Sequence, residues 1–246
     1  MLRLLITILL LGAVTGCSIS TAAKKQATYH YQMGLSYLGE NNATGALVEL
    51  TAAEKIDPDN HELQNYLGVA YFRKGKLDIA EKKYLKAIAL KPDYSDARNN
   101  LSVVYLEMKR WDDAIYQLKI VTEDIFYQNQ TAAGINLSLA YFGKGDFNAS
   151  LQTLRPLAAN SPSDPMIRFN MGRVYYATDK IDMAVSEYKK AIEIYPGYAQ
   201  AHYNLAQSYM KTGDKSSAAK HFKEVIKVAP DMEIAHFSRE YLDLLK

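Results

Sequence analysis

The chain has 246 residues, 48% hydrophobic and 23% charged, which is the composition of a folded protein rather than a disordered one. A net charge of +2 offers no basic surface of the kind nucleic acids require. A single cysteine, Cys17, excludes an intramolecular disulfide framework.

The first element is an apolar run from Leu4 to Val14, preceded by Arg3 and followed by Thr15-Gly16-Cys17. It is too short to span a bilayer comfortably and suits the core of a secretory signal peptide. Val14-Thr15-Gly16-Cys17 resembles the bacterial lipobox. That resemblance implies that residues 1–16 are removed and that Cys17 is lipidated, with residues 17–26 as a short tether. Several buried acyl chains, at about 0.8 kcal/mol per methylene, would anchor the chain firmly. Ser18, where lipoproteins held at the inner membrane commonly carry Asp, implies the outer membrane, with the chain facing the periplasm.

From residue 27 onward the sequence repeats. Tyrosine returns at Tyr37, Tyr71, Tyr105, Tyr141, Tyr175 and Tyr209, at intervals of 34, 34, 36, 34 and 34. Nine residues after each lies a small one: Ala46, Ala80, Ala114, Ser150, Ala184 and Ala218. Pro58, Pro92, Pro162, Pro196 and Pro230 close five of the units, and Phe126 stands in the third. Within each unit, positions 4, 7, 8 and 11 form one helical stripe. The small residue at position 8 admits a second helix closely, and the tyrosine at position 11 covers the joint. Asn41, Gly75, Lys109, Gly145, Asp179 and Gly213 fall between the two helices, and all but Lys109 suit a left-handed backbone. Thr44, Asp78, Asp112, Asn148, Asp182 and Ser216 are N-cap types and are expected to open the second helix. One such pair cannot bury its apolar face alone, but six stacked pairs can.

This pattern resembles the tetratricopeptide repeat, whose typical period is 34. The expected fold is all-α: a right-handed solenoid of six helix pairs (27–60, 61–94, 95–128, 131–164, 165–198 and 199–232) with a capping helix at 233–246. On that last helix Ile234, Phe237, Tyr241 and Leu244-Leu245 form the apolar face. Repeat three is irregular. It holds the only tryptophan, Trp111, lacks the closing proline, and is followed by two extra residues, Asn129 and Gln130. A longer second helix or an altered turn is expected there. Repeat four is expected to end in a proline-rich joint of Pro156, Pro162 and Pro165.

An outer-membrane lipoprotein of six such repeats, with Arg110-Trp111-Asp112-Asp113-Ala114, Ile125-Phe126-Tyr127, Asn136-Leu137 and Ala140-Tyr141 in its irregular middle, is similar to the type IV pilus pilotins, the PilF/PilW-like proteins. The resemblance implies a protein that helps a secretin subunit reach the outer membrane and multimerise there. A general envelope adaptor, for example one that docks cell-wall hydrolases, is the alternative.

No catalytic signature is present. His30, His61, His202, His221 and His236 have no partners at metal-ligand spacing within one helix, and no phosphate loop, nucleophile elbow or dinucleotide fingerprint occurs. Asp57-Pro58-Asp59-Asn60 lacks the rest of a calcium loop and reads as a turn. No enzyme activity, cofactor, metal or small-molecule substrate is expected. What remains is a protein-binding surface. Positions 2, 5, 9 and 12 form a second stripe on each first helix, one that lines the concave groove in tetratricopeptide proteins. It is mostly apolar here, with Phe72, Leu106, Ile135, Phe142, Phe169 and Tyr176 as expected anchors, and Asn65, Asn99 and Arg173 among them. Asn65 and Asn99 are expected to hydrogen-bond a partner's backbone. The carboxylate clamp of chaperone-binding repeats is absent, since Tyr31 and Leu35 occupy positions where it needs Lys and Asn.

Overall fold

The computed structural model describes residues 20–245, so the expected signal peptide and Cys17 lie outside the described residues. Among the described residues there are thirteen α-helices and no strand. They pair as α1 (Thr21–Gly39) with α2 (Ala43–Ile56), α3 (His61–Arg73) with α4 (Leu77–Leu90), and α5 (Ser95–Glu107) with α6 (Trp111–Glu123). The stack continues with α7 (Gln130–Lys144) and α8 (Phe147–Asn160), α9 (Pro165–Ala177) and α10 (Ile181–Ile194), and α11 (Ala199–Thr212) and α12 (Lys215–Val228). Helix α13 (Glu233–Leu244) packs on the last pair and closes the stack. Helix α1 starts at Thr21, six residues ahead of the first expected unit. Ser20 caps it by accepting from the Ala23 N–H at 3.2 Å, and nothing in Thr21–Gln26 breaks a helix, so this part of the expected tether is helical.

All six turns inside the pairs are built alike. The N–H of the left-handed residue donates to the carbonyl of position 12, and the next N–H donates to the carbonyl of the tyrosine at position 11. For Gly75→Phe72 and Lys76→Tyr71 the distances are 2.8 and 2.9 Å. This double bond is the Schellman helix end. The five residues that suit a left-handed backbone have positive φ, and so does Lys109, at 58°, the one that residue type disfavoured. Repeat geometry overrides the local preference there.

The second helices open two residues earlier than expected. Their N-caps are Asn42, Lys76, Arg110, Asp146, Lys180 and Asp214. Where the cap is Asn or Asp, its side chain accepts from an N–H three residues on. Where it is Lys or Arg, no side chain caps, and Asp78, Asp112 or Asp182 sits in the first turn instead. A carboxylate beside the free N–H groups substitutes for the missing cap.

Close approach within a pair depends on position 8. A Cβ added at Gly68 or Gly172 would lie 2.5 Å from the ring of Tyr84 or Tyr188, each almost fully buried. In repeat four the approach is polar: the Ser150 hydroxyl donates to the Ser138 carbonyl at 2.9 Å. Polar pairs nineteen residues apart also tie position 4 to the second helix: His30–Glu49, Arg98–Gln117, Arg168–Glu187 and His202–His221. In the last of these, burial and the neighbouring His202 push His221 down to about 4.

Repeat three has the altered turn, not the longer helix. The joint between α6 and α7 has six residues, 124–129, where the other joints between units have four. Without a proline, Asp124 organises it. Its side chain accepts from the Phe126 N–H at 3.0 Å and from the Ser95 hydroxyl at 2.5 Å, which holds the carboxyl below its ordinary range. Ile125 and Phe126 stay exposed, and Trp111 packs over Gly143 of the next repeat. Pro156 lies inside α8 rather than in a joint, while Pro165 takes the first position of α9, where its missing N–H is not needed. On α13 Tyr241, Leu242 and Leu245 pack inward with buried Ala235, but Phe237 and Leu244 face solvent, unlike the expected apolar face.

Candidate protein-binding groove

Each first helix packs against the first helix of the next repeat, whereas the backbones of successive second helices stay apart; α2 and α4 meet through the long side chains of Glu54 and Lys83, ion-paired at 2.6 Å. The first helices therefore line the inner side of the curve and the second helices the outer side. Positions 2, 5, 9 and 12 lie along this inner side, at different depths. Position 2 is exposed in Thr28, Glu62, Asp96, Ala132 and Met166. Positions 9 and 12 are half-buried nearly throughout, so Phe72, Leu106, Phe142, Arg173 and Tyr176 form a groove floor that a partner can reach.

Position 5 is different. Asn65 is 3% exposed, Ile135 4% and Phe169 8%. These three expected contact residues are packing residues instead, because successive first helices close over them. The Phe169 ring lies against Tyr198 and Tyr188, with centroids 5.0 and 5.9 Å away. Asn65 cannot serve a partner's backbone: its carbonyl oxygen accepts from the Asn100 amide at 3.0 Å, and its own amide reaches the Tyr94 hydroxyl at 3.4 Å. Asn99 is half-buried, and its carbonyl oxygen is taken by the Asn136 amide at 3.2 Å.

These bonds involve a set of residues that lies outside both stripes. Position 6 is asparagine in four units, Asn100, Asn136, Asn170 and Asn204. The first two tie neighbouring first helices together through Asn65 and Asn99. Asn170 accepts from Arg173 at 3.1 Å, and Asn204 donates to the Tyr188 hydroxyl at 3.4 Å. Their recurrence at near-constant intervals was the available signal, but position 6 lies between the two stripes and belongs to neither.

The floor changes character along its length. Around repeats two and three it is aliphatic and aromatic, with Val69, Phe72, Val103 and Leu106. Around repeats four and five a cation enters. The Arg173 guanidinium lies 4.6 Å from the Phe142 ring centroid and 5.9 Å from that of Phe169, and Phe142 meets Phe147 edge-on at 5.5 Å. Burial lowers the affinity of Arg173 for its proton. Tyr176, one turn on, carries Lys211 over its ring, and Lys211 is in turn paired with Asp179.

Among the described residues no cluster of three or more His, Cys, Asp or Glu could hold a metal ion, and no helix is long and apolar enough to cross a membrane.

Models of the TPR repeat match residues 70–109 and 172–213, and a model of the tetratricopeptide repeat matches 199–232. With six helix pairs of this geometry, the assignment is direct. The chain is a tetratricopeptide-repeat protein. This tetratricopeptide-repeat chain is 27% identical over 209 residues to the type IV pilus assembly protein PilF of Pseudomonas aeruginosa, covering 80% of this chain and 79% of that one. The structure of Pseudomonas aeruginosa PilF superposes with a TM-score of 0.72 at 20% identity, covering 89% of this chain and 99% of the other. That of PilW, a widely conserved type IV pilus biogenesis factor, gives 0.78 at 17% identity over 86% and 97%. At these identities the structural matches speak for the fold.

Proposed function

We propose that this protein is a type IV pilus pilotin: a non-enzymatic outer-membrane lipoprotein, anchored through Cys17 and facing the periplasm, that binds a secretin subunit and promotes its localisation and multimerisation. The observation that carries the reading is the likeness to a pilus assembly protein over about four-fifths of both chains, in an array preceded by a lipobox-like Val14-Thr15-Gly16-Cys17. The half-buried floor of Phe72, Leu106, Phe142, Arg173 and Tyr176 supplies an apolar surface for a protein segment. An amphipathic helix or an extended apolar strand fits that chemistry.

Deleting the gene and running envelope extracts on a gel for heat-resistant secretin multimers tests the function. Loss of multimers is expected, and a normal amount would refute the pilotin reading. The anchor has its own test. Metabolic labelling with a clickable fatty acid should mark the wild-type chain and not Cys17→Ala, and equal labelling of both removes the anchor.

A further inference from the structure

Position 9 of the groove stripe is Leu35, Val69, Val103, Leu139, Arg173 and Gln207 in the six units. The fifth unit thus places a permanent cation in an otherwise uncharged row. Three arginines are half-buried among the described residues. Arg168 has the Glu187 carboxylate at 3.4 Å. Arg98 has the Pro92 carbonyl at 2.8 Å and the Gln117 side chain at 2.7 Å. Arg173 has only the neutral Asn170 amide oxygen, at 3.1 Å, and no carboxylate within ion-pair distance. A guanidinium carries five N–H donors, so most of its capacity is unspent. Removing such a group from water without an anion is unfavourable unless something else supplies the anion. The aromatic faces of Phe142 and Phe169 hold the planar cation but take none of its N–H groups.

We infer that Arg173 is the anion-recognition point of the groove, and that the bound segment carries an Asp or Glu side chain flanked by apolar residues. The inference rests on the groove reading above and adds the partner's chemistry. Half-buried side chains continue on both sides of Arg173, with Leu139 and Phe142 before it and Tyr176 and Met210 after it. A segment lying there passes through the site rather than ending in it, which favours a side-chain carboxylate over a chain terminus. The carboxylate accepts two N–H groups of the guanidinium, the pairing for which arginine geometry is suited. The apolar neighbours of the acid cover Phe142 and Tyr176.

The probe is a random-peptide phage library panned on the full chain in detergent, with enriched sequences then made as amidated synthetic peptides. Enriched peptides should share an acid beside aromatic or aliphatic residues. Changing that acid to its amide, or Arg173→Gln in the protein, should each weaken binding about tenfold or more, and the two together should weaken it little further. Arg173→Lys should keep part of the affinity, which shows that the loss is one of charge rather than of folding. Peptides weakened by Phe142→Ala but indifferent to Arg173→Gln would leave the groove standing and overturn the anion site. Peptides indifferent to both, or no enrichment at all, would overturn the groove as well. Peptides that bind better with a free terminal carboxylate than amidated, and do not depend on an internal acid, would replace the side-chain carboxylate with a chain end.

Discussion

Positions 5 and 12 of the first helices belong to one stripe, and on a helical wheel they look equivalent. In the structure they are not. Ile135 and Phe169 at position 5 are shut between neighbouring helices, whereas Phe72, Leu106, Phe142 and Tyr176 at position 12 remain reachable. The cause is curvature. First helices touch each other on the inner side, and the residue at the point of contact is covered from the next repeat. A stripe that is continuous in sequence therefore becomes a buried seam beside an open floor. Apolar character alone cannot tell the two apart, because both need it.

Substitution should separate them sharply. Phe169→Ala removes a ring packed on Tyr188 and Tyr198 and is expected to destabilise by about 3–5 kcal/mol, measured by urea unfolding. A loss below 1 kcal/mol would mean that the seam is open in solution. Asn65→Ala leaves the half-buried Asn100 amide without its acceptor, at a cost of about 1 kcal/mol. Exchanging Asn65 and Asn100 for a pair of leucines together should cost less than Asn65→Ala alone, since no donor is then left unpaired.

On the floor the effect should shift from folding to binding. Phe142→Ala gives up an edge-on aromatic contact worth about 0.5–1.5 kcal/mol beyond its half-buried area, so it should destabilise less than Phe169→Ala, while binding of a peptide in the groove falls strongly. Early melting of this variant would move Phe142 from floor to seam. The smallest effect belongs to the turn of repeat three. Lys109→Gly relieves a left-handed lysine and should raise stability by about 0.5–1 kcal/mol, with the groove unchanged. A decrease would show that the lysine side chain contributes more than its backbone conformation costs.

Much of this was legible in the sequence because a repeat states each instruction six times. The left-handed residues, the small residues under Tyr84 and Tyr188 and the closing prolines were all found at their fixed offsets. Lys109 shows where residue type misleads, since its φ is positive like that of its five counterparts although lysine is a poor fit there. The errors came where position within a unit does not determine the neighbour across units. The second-helix caps were placed two residues late because Asp78, Asp112 and Asp182 look like caps but act from the first turn. Asn65 was read as a donor to a partner because Asn100, thirty-five residues away, is invisible as its acceptor until the repeats are stacked.

The contact pattern also has a mechanical side. Each helix packs on its pair mate and on the adjoining helix, the first helices also pack on those of the adjacent repeats, and α2 and α4 are joined by the Lys83–Glu54 ion pair; all of these contacts lie within a repeat or between adjacent ones. A load applied between the two ends must then pass in series through every interface, with no parallel path to share it. Under tension the stack should give way pair by pair, as a row of small force peaks instead of one large rupture. A protein built this way can lengthen while most of its pairs remain folded.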